Sequence, residues 1–171
     1  MLPPPWNTGD DENARWLESS STQLATAHEL QLLCQNLPHL DPSSDGESDT
    51  TAVGRWGEEL VFSHFDRGSS ARDHCTCVWV NKDGESGLPY DIRLEDTQTN
   101  SSIFIEVKTT VTSDRHIFPI SGAELRFAQQ NGSSYWVVRV YGGGTDGVKM
   151  CKIESLMEKV ERGAIGLLLV M

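Results

Sequence analysis

The sequence predicts an α/β domain, a mixed central sheet flanked by helices, with a helix, three strands, a helix and a strand in that order from residue 53. Three observations carry this expectation. Apolar residues take up a helical spacing after Val53. Three β-rich runs follow between residues 77 and 110. A capped helical stretch then leads into YWVVRVY at 135–141, the most strand-like segment of the chain.

Each element has a local cause. Trp56, Leu60, Val61, Phe62 and Phe65 recur at helical intervals, and Gly68 marks a stop for this first helix. Residues 77–80 are short and β-branched, 90–94 alternate, and 103–110 are apolar and β-branched in their first half. The polar stretch DTQTNS at 96–101 reads as the loop of a hairpin joining the last two runs. Ser121 with Glu124 three positions on has the capping-box relation, and Asn131-Gly132 ends the helix it opens. Gly142 to Gly144 stop the strong strand. An edge strand at 148–153, a charged helix at 155–162 and an apolar terminal strand or tail are expected after them.

The first 50 residues have a different texture. Residues 1–15 and 38–50 combine Pro, Ser, Asp and Gly without hydrophobic periodicity and read as disordered or linker. Between them a helix is expected at 16–36, with Ser21 or Thr22 near its start and Trp16, Leu17, Leu24, Leu30, Leu33 and Leu37 along one stripe, available to the main domain or to a protein partner. The division expected is therefore an acidic, partly disordered segment at 1–50 and a folded domain at 51–171.

The chain has 171 residues and a formal net charge of -11. Nine acids face one base, Arg15, in residues 1–50, whereas the remainder holds sixteen acids and thirteen bases. That balance argues against nucleic-acid binding through a broad basic surface, which depends on Lys and Arg displacing counterions, but allows a local positive cleft. Four unevenly spaced cysteines do not make a disulfide framework. The opening residues lack a signal-peptide pattern, and the longest apolar run, 163–171, is too short to span a bilayer. An intracellular protein with reduced thiols, in nucleus or cytoplasm and without membrane attachment, is the expectation.

The residues that point to chemistry lie in two neighbouring strands. Side chains alternate along a strand, so Glu106 and Lys108 share one face and Val107 takes the other. Asp91, fifteen positions before Glu106, is brought back to it by the hairpin. A charge inside the apolar run IFIEVKTT is costly unless partnered, and Glu58 in the preceding helix can add a further carboxylate. Carboxylates so placed repel unless a cation neutralises them, and hard oxygen ligands suit Mg²⁺ or Mn²⁺. The implied chemistry is phosphoryl transfer to water, with Lys108 orienting or deprotonating the water or offsetting transition-state charge.

GRWGEE in a first helix, then PYD, then EVK, then a helix and a strand resemble the PD-(D/E)xK nuclease superfamily, the restriction-endonuclease-like fold. More closely, GRWGEELVFSHF, GLPYDI, FIEVKTT, FPISGAELRFAQQ and YWVVRVY resemble the domain at the C-terminus of the plant protein NO VEIN and its animal and bacterial relatives, over residues 53–141. The resemblance implies a metal-dependent nuclease acting on DNA or structured nucleic acid. It implies metal ligands at Asp91 and Glu106, catalytic Lys108, a contributing carboxylate at Glu58, and the Val107 carbonyl on the metal. Glu59 is the rival for the helix position; Glu58 is preferred because it follows Gly57 in the G-x-x-G-E pattern. Relatives often sit in large proteins beside ATPase or helicase-like modules, which implies that this chain acts beside another protein or is a piece of one. The alternative, a weak or inactive nuclease fold used for protein interaction or scaffolding, is motivated by the acidic charge and the missing basic patch that would steer DNA to the cleft. On a third reading Glu106 and Lys108 form only a salt bridge on a sheet face.

Other conspicuous residues have plainer explanations. Gln129 and Gln130 read as an exposed helix face and Ser121 with Glu124 as a cap. His74, Cys75 and Cys77 look like half a zinc site, but the sequence offers no second closely spaced pair, so ordinary buried thiols are favoured. Arg115 and His116 read as a solvated loop, Trp56, Trp79 and Trp136 as packing residues, and Gly142 to Gly144 as a turn lacking a phosphate loop's Lys-Ser/Thr ending.

Overall fold

A computed structural model describes residues 22–40 and 47–167. It shows an α/β fold with a six-stranded mixed sheet between two layers of helix. In chain order the elements are β1 (Thr22–Gln23), α1 (Ala27–Cys34), α2 (Glu47–Ser70), β2 (Cys75–Trp79), β3 (Ile92–Asp96), β4 (Ser101–Thr109), α3 (Gly122–Asn131), β5 (Tyr135–Tyr141), β6 (Lys149–Glu154) and α4 (Leu156–Glu161), with a 3₁₀ turn at Gly132–Ser134 before β5. The strands lie in the order β1-β6-β5-β4-β3-β2. Among the described strands only β4 and β5 run parallel, and α3 makes the crossover that a parallel pair requires. All other pairs are antiparallel.

Two cores follow from strand alternation. On one face Ile103, Ile105 and Val107 of β4 join Trp136, Val138 and Val140 of β5 beneath α1 and α2. The other face packs Tyr135 and Val137 against Ala128, Leu156, Phe104 and Phe127, under α3 and α4. Both faces of β5 are covered, which is why YWVVRVY is buried along its whole length and reads as a continuous apolar run. Helix α2 presents Trp56, Leu60, Val61 and Phe65 to the sheet, and burial of each such side chain is worth roughly 1.5–3 kcal/mol. Gly57 lets the helix come close: a Cβ there would lie 1.7 Å from Thr109 Oγ1 in β4.

Several expectations are corrected. The helix expected at 16–36 is instead a short strand and a shorter helix, with residues 16–21 outside the described residues. Thr26, rather than Ser21 or Thr22, caps α1. Its side chain accepts from the Glu29 N–H at 3.3 Å and Glu29 accepts from the Thr26 N–H at 2.8 Å, a reciprocal capping box that fixes the helix start and leaves Thr22 and Gln23 extended. Those two residues pair with Lys152 and Cys151, so β6 is not the sheet edge. Leu24, Leu30 and Leu33 are buried in the same core as α2, committing this stripe to the domain itself. Helix α2 begins at Glu47 and runs through residue 51, so 47–50 form helix where a linker was expected. No strand occurs at 163–167; the expected tail at 168–171, like the irregular segments at 1–15 and 41–46, lies outside the described residues. The four thiols are free, and no helix among the described residues is long and apolar enough to cross a membrane.

Candidate functional site

The site is a notch made by strands of unequal length. Strand β3 begins at Ile92, opposite Ile105, while β4 continues to Thr109 with β5 alone beside it. The peptide edge of β4 beyond Ile105 therefore faces the loop that enters β3. Asp91 closes that edge. Its own N–H donates to the Ile105 carbonyl at 2.8 Å, and its Oδ2 accepts from the Val107 N–H at 2.7 Å, in place of the strand partner that β3 no longer supplies. A residue's N–H and C=O project to the same side of a strand, so the Val107 carbonyl opens onto this notch as well. Extending the β3–β4 register by one residue sets Asp91 opposite Glu106.

Glu106 and Lys108 lie on the α3 face, with Val107 turned into the other core, as alternation requires. Lys108 Nζ is 2.7 Å from Glu106 Oε1 and also reaches Glu124 in the first turn of α3, at 3.2 Å. Glu124 at the same time completes the capping box with Ser121, accepting its N–H at 2.9 Å. It is thus both the expected cap and a member of the site. Glu58 comes from the α2 face. Its Oε2 accepts from the Trp79 indole N–H at 2.8 Å, and Trp79 stacks on Phe62 one helical turn along. The carboxylates of Glu58, Asp91 and Glu106 form a chain across the notch and not a tight triad: among the described residues they do not bring three oxygens within 4.8 Å of one another.

Electrostatics follows from burial. Asp91 and Glu106 are only 8% and 7% exposed. Burial is the main cause holding both carboxyls well above the ordinary carboxylate range; the next is repulsion, from Glu58 on Asp91 and from Asp91 on Glu106. The Val107 N–H and Lys108 oppose this at Asp91, and Lys108 opposes it at Glu106. Glu58 is also raised, by burial first, against the Trp79 hydrogen bond. Burial lowers the proton affinity of Lys108, but Glu106 and Glu124 together raise it above normal, which keeps the side chain an ammonium. The balance is four carboxylates, counting Glu124, around one lysine.

Repulsion between the two buried carboxyls, Asp91 and Glu106, is what a divalent cation would relieve, and their donor chemistry fits such an ion. Asp91 and Glu106, with the Val107 carbonyl, supply hard oxygen atoms at one edge, where protonation is the alternative way to relieve repulsion. Glu58 stands beside this inner set.

Three contributors were not visible in the sequence. Asn81 donates from Nδ2 to Asp91 Oδ1 at 2.7 Å and accepts the Ser86 N–H at 3.0 Å, which orders the loop leading to Asp91. Arg55 donates to the carbonyls of Asn81 and Lys82 and lies 4.2 Å over the Trp79 ring, pinning the same loop to α2. Tyr135, fully buried and one diagonal step from Glu106 across β4 and β5, has a hydroxyl with no hydrogen-bond partner among the described residues. Burial, then the negative charge of Glu106, Glu124 and Asp91, holds this phenol in its protonated form. Asn81 could have been suspected from its turn-forming neighbourhood, and Arg55 and Tyr135 lie inside GRWGEE and YWVVRVY, although neither pattern shows that these side chains serve the site.

The remaining candidates stand apart from the notch contacts. Gln129 and Gln130 are exposed on α3. Arg115 offers its carbonyl to Arg139, and His116 Nδ1 lies 3.5 Å from the Tyr141 hydroxyl. Trp56 and Trp136 are core residues whose indole N–H groups bond the Pro38 and Ser133 carbonyls. Gly142 and Gly144 adopt positive φ in a turn that closes through Thr145.

Comparison with known proteins places this architecture. Residues 57–153, from the close-approach glycine through β6, match the family described as Protein NO VEIN, C-terminal. Protein NO VEIN-LIKE of Arabidopsis thaliana is 30% identical over 118 residues, covering 69% of this chain and 17% of that protein. Protein NO VEIN of the same plant is 29% identical over 119 residues, 70% of this chain and 4% of its own length. The chain thus spans a small fraction of these relatives. The match takes in the α2 segment from Gly57, Asp91, the Glu106-Val107-Lys108 strand, Glu124 and β5, and on that ground the chain belongs to the NO VEIN C-terminal domain family.

Proposed function

We propose that this domain is a divalent-metal-dependent phosphodiesterase of PD-(D/E)xK type, acting on DNA or structured nucleic acid with Mg²⁺ or Mn²⁺. The observation that supports this best is the pairing of buried Asp91 with buried Glu106 across the end of β3, with Lys108 on the same face as Glu106 and the Val107 peptide between them. Asp91, Glu106 and the Val107 carbonyl would hold the cation, with Glu58 beside them. A cation bound there supplies Lewis-acid polarisation of a phosphate oxygen and lowers the pKa of water. Lys108 presents an ammonium that can hold a water or a phosphoryl oxygen, while Glu124 and Glu106 fix its direction. Asn81 and the Val107 N–H hold Asp91 in one orientation.

The test is cleavage of single-stranded, duplex and branched nucleic acids with Mg²⁺ or Mn²⁺, comparing the natural protein with Asp91→Asn and Lys108→Gln. Metal-dependent cutting lost in both variants supports the reading; no cutting, or equal cutting by all three, refutes it. One observation favours a second reading, a nuclease fold used for protein interaction. Lys108 is held by two carboxylates, so its ammonium is already neutralised. On that reading metal uptake is absent and Asp91→Asn leaves any partner binding intact.

A further inference from the structure

At the end of the sheet away from the notch, the first residue of β2, Cys75, pairs directly with the last residue of β3, Asp96. Directly opposed residues in an antiparallel pair have Cβ atoms roughly 4.5–5.5 Å apart, which brings a thiol and a carboxylate together. His74 precedes Cys75, and its carbonyl accepts both the N–H of Thr97 at 2.9 Å and the Thr97 hydroxyl at 3.1 Å. The backbone carrying the imidazole is thereby tied to the turn that follows Asp96. As a result one donor atom from each of His74, Cys75 and Asp96 lies within 4.8 Å of the others.

We propose that His74, Cys75 and Asp96 form a second metal site, separate from the notch, for a thiophilic divalent cation of the Zn²⁺ class. The donor set decides the class. A thiolate and an imidazole favour Zn²⁺ over Mg²⁺ or Ca²⁺, and one carboxylate completes a three-donor set that leaves a fourth tetrahedral position for water. Asp96 is preset for this. Its Oδ1 accepts the N–H groups of Gln98 at 2.8 Å and Thr99 at 3.3 Å, and the Thr99 hydroxyl also bonds the carboxylate, which together fix its direction. Cys75 and Asp96 are buried residues, while His74 is partly exposed. Without a cation, burial first and then the Asp96 charge keep the thiol protonated, with Arg72 opposing. A bound cation reverses that preference and releases the thiol proton to solvent.

The sequence shows only His74, Cys75 and Cys77, half of a zinc pattern, because the third donor arrives through strand pairing twenty-one positions later. The site joins the outermost strand to its neighbour at the point where α2 hands the chain to the sheet. It lies about 13 Å, four residues of strand, from the Trp79 end of β2. Its role is to clamp the sheet's β2 edge.

Cobalt(II) titration of the full chain tests this, since cobalt reports thiolate ligation and tetrahedral geometry in its absorption. One equivalent is expected to give a thiolate charge-transfer band with intense visible bands, and Zn²⁺ to displace them. Cys75→Ser should abolish the charge-transfer band, and His74→Ala, at a half-exposed position that leaves the core intact, should weaken binding at least tenfold. Cys77→Ser and Asp91→Asn should leave the charge-transfer band unchanged, since the notch carboxylates offer cobalt no thiolate. Absence of the charge-transfer band in the natural protein overturns the proposal, as does its survival in Cys75→Ser or its loss in Asp91→Asn.

Discussion

Asp91→Asn in the absence of metal offers a direct check on the electrostatics of the notch. Asp91 rises from an ordinary 3.8 to about 7, and Glu106 from 4.5 to about 8, both chiefly through burial. A folded-state value above the unfolded one means that the native protein binds protons more tightly. The resulting stability is present in full below pH 4 and is lost as pH climbs through 7 to 8. At about 1.4 kcal/mol per tenfold change in proton affinity, the rise at Asp91 sets a ceiling of about 4 kcal/mol for the ionisation penalty. Part of it is relieved because Glu106 can take the proton instead, and the variant loses one charge-assisted bond to the Val107 N–H, worth about 1.5–3 kcal/mol. The net expectation is a gain of about 1–2 kcal/mol for Asp91→Asn at pH 8, shrinking to nothing or reversing near pH 5. Urea unfolding at several pH values in a chelator measures this. Adding Mg²⁺ or Mn²⁺ should restore the advantage to the natural protein, because only it can hold the ion. A natural protein that is more stable than the variant at pH 8 under chelation would refute the claim that the paired carboxylates destabilise the metal-free fold.

Other perturbations probe the supports of the site. Asn81→Ala strips a bond from Asp91 and leaves the Ser86 N–H without its acceptor; thermal unfolding should report a loss of about 1–3 kcal/mol, and metal affinity should fall 10–100-fold. Gly57→Ala, ordinarily a gain of about 1 kcal/mol inside a helix, should instead destabilise, because the new methyl meets Thr109 Oγ1 at 1.7 Å and Thr109 Cβ at 2.8 Å; adding Thr109→Gly should recover most of the loss in the same unfolding measurement. Lys108→Gln leaves Glu106 and Glu124 without their shared ammonium, so chelated protein should lose about 3 kcal/mol at pH 8 and much less at pH 5, where Glu106 is protonated. Trp79→Phe removes the indole N–H bonded to Glu58 while keeping the stack on Phe62, and calorimetry should show weaker metal uptake with little change in stability.

What was legible in the sequence was whatever is local. Period-two alternation put Glu106 and Lys108 on one face and Val107 on the other, and the β5 strand declared its bounds because it is apolar on both sides. The Ser121–Glu124 box declared the start of α3 within four residues of sequence. Asp91 could be joined to Glu106 because a hairpin of fifteen residues allows few registers. The Thr26–Glu29 box is equally local, and a cap fixes where a helix begins more sharply than the longer apolar stripe around it does.

Tertiary structure decided everything that depends on which strand ends first. The notch exists because β3 stops pairing at Ile92 while β4 runs on to Thr109, and no propensity encodes that difference in length. It decided that Glu124 serves Lys108 as well as its own helix, that Asn81 and Tyr135 face the acidic cluster, and that Asp96 meets Cys75. Residue types and spacing along the chain specify which groups are available and which face of an element each takes. How strongly each holds its protons, and which donors meet around one point, depends on burial and on neighbours distant in sequence, quantities that come into being only when the layers pack.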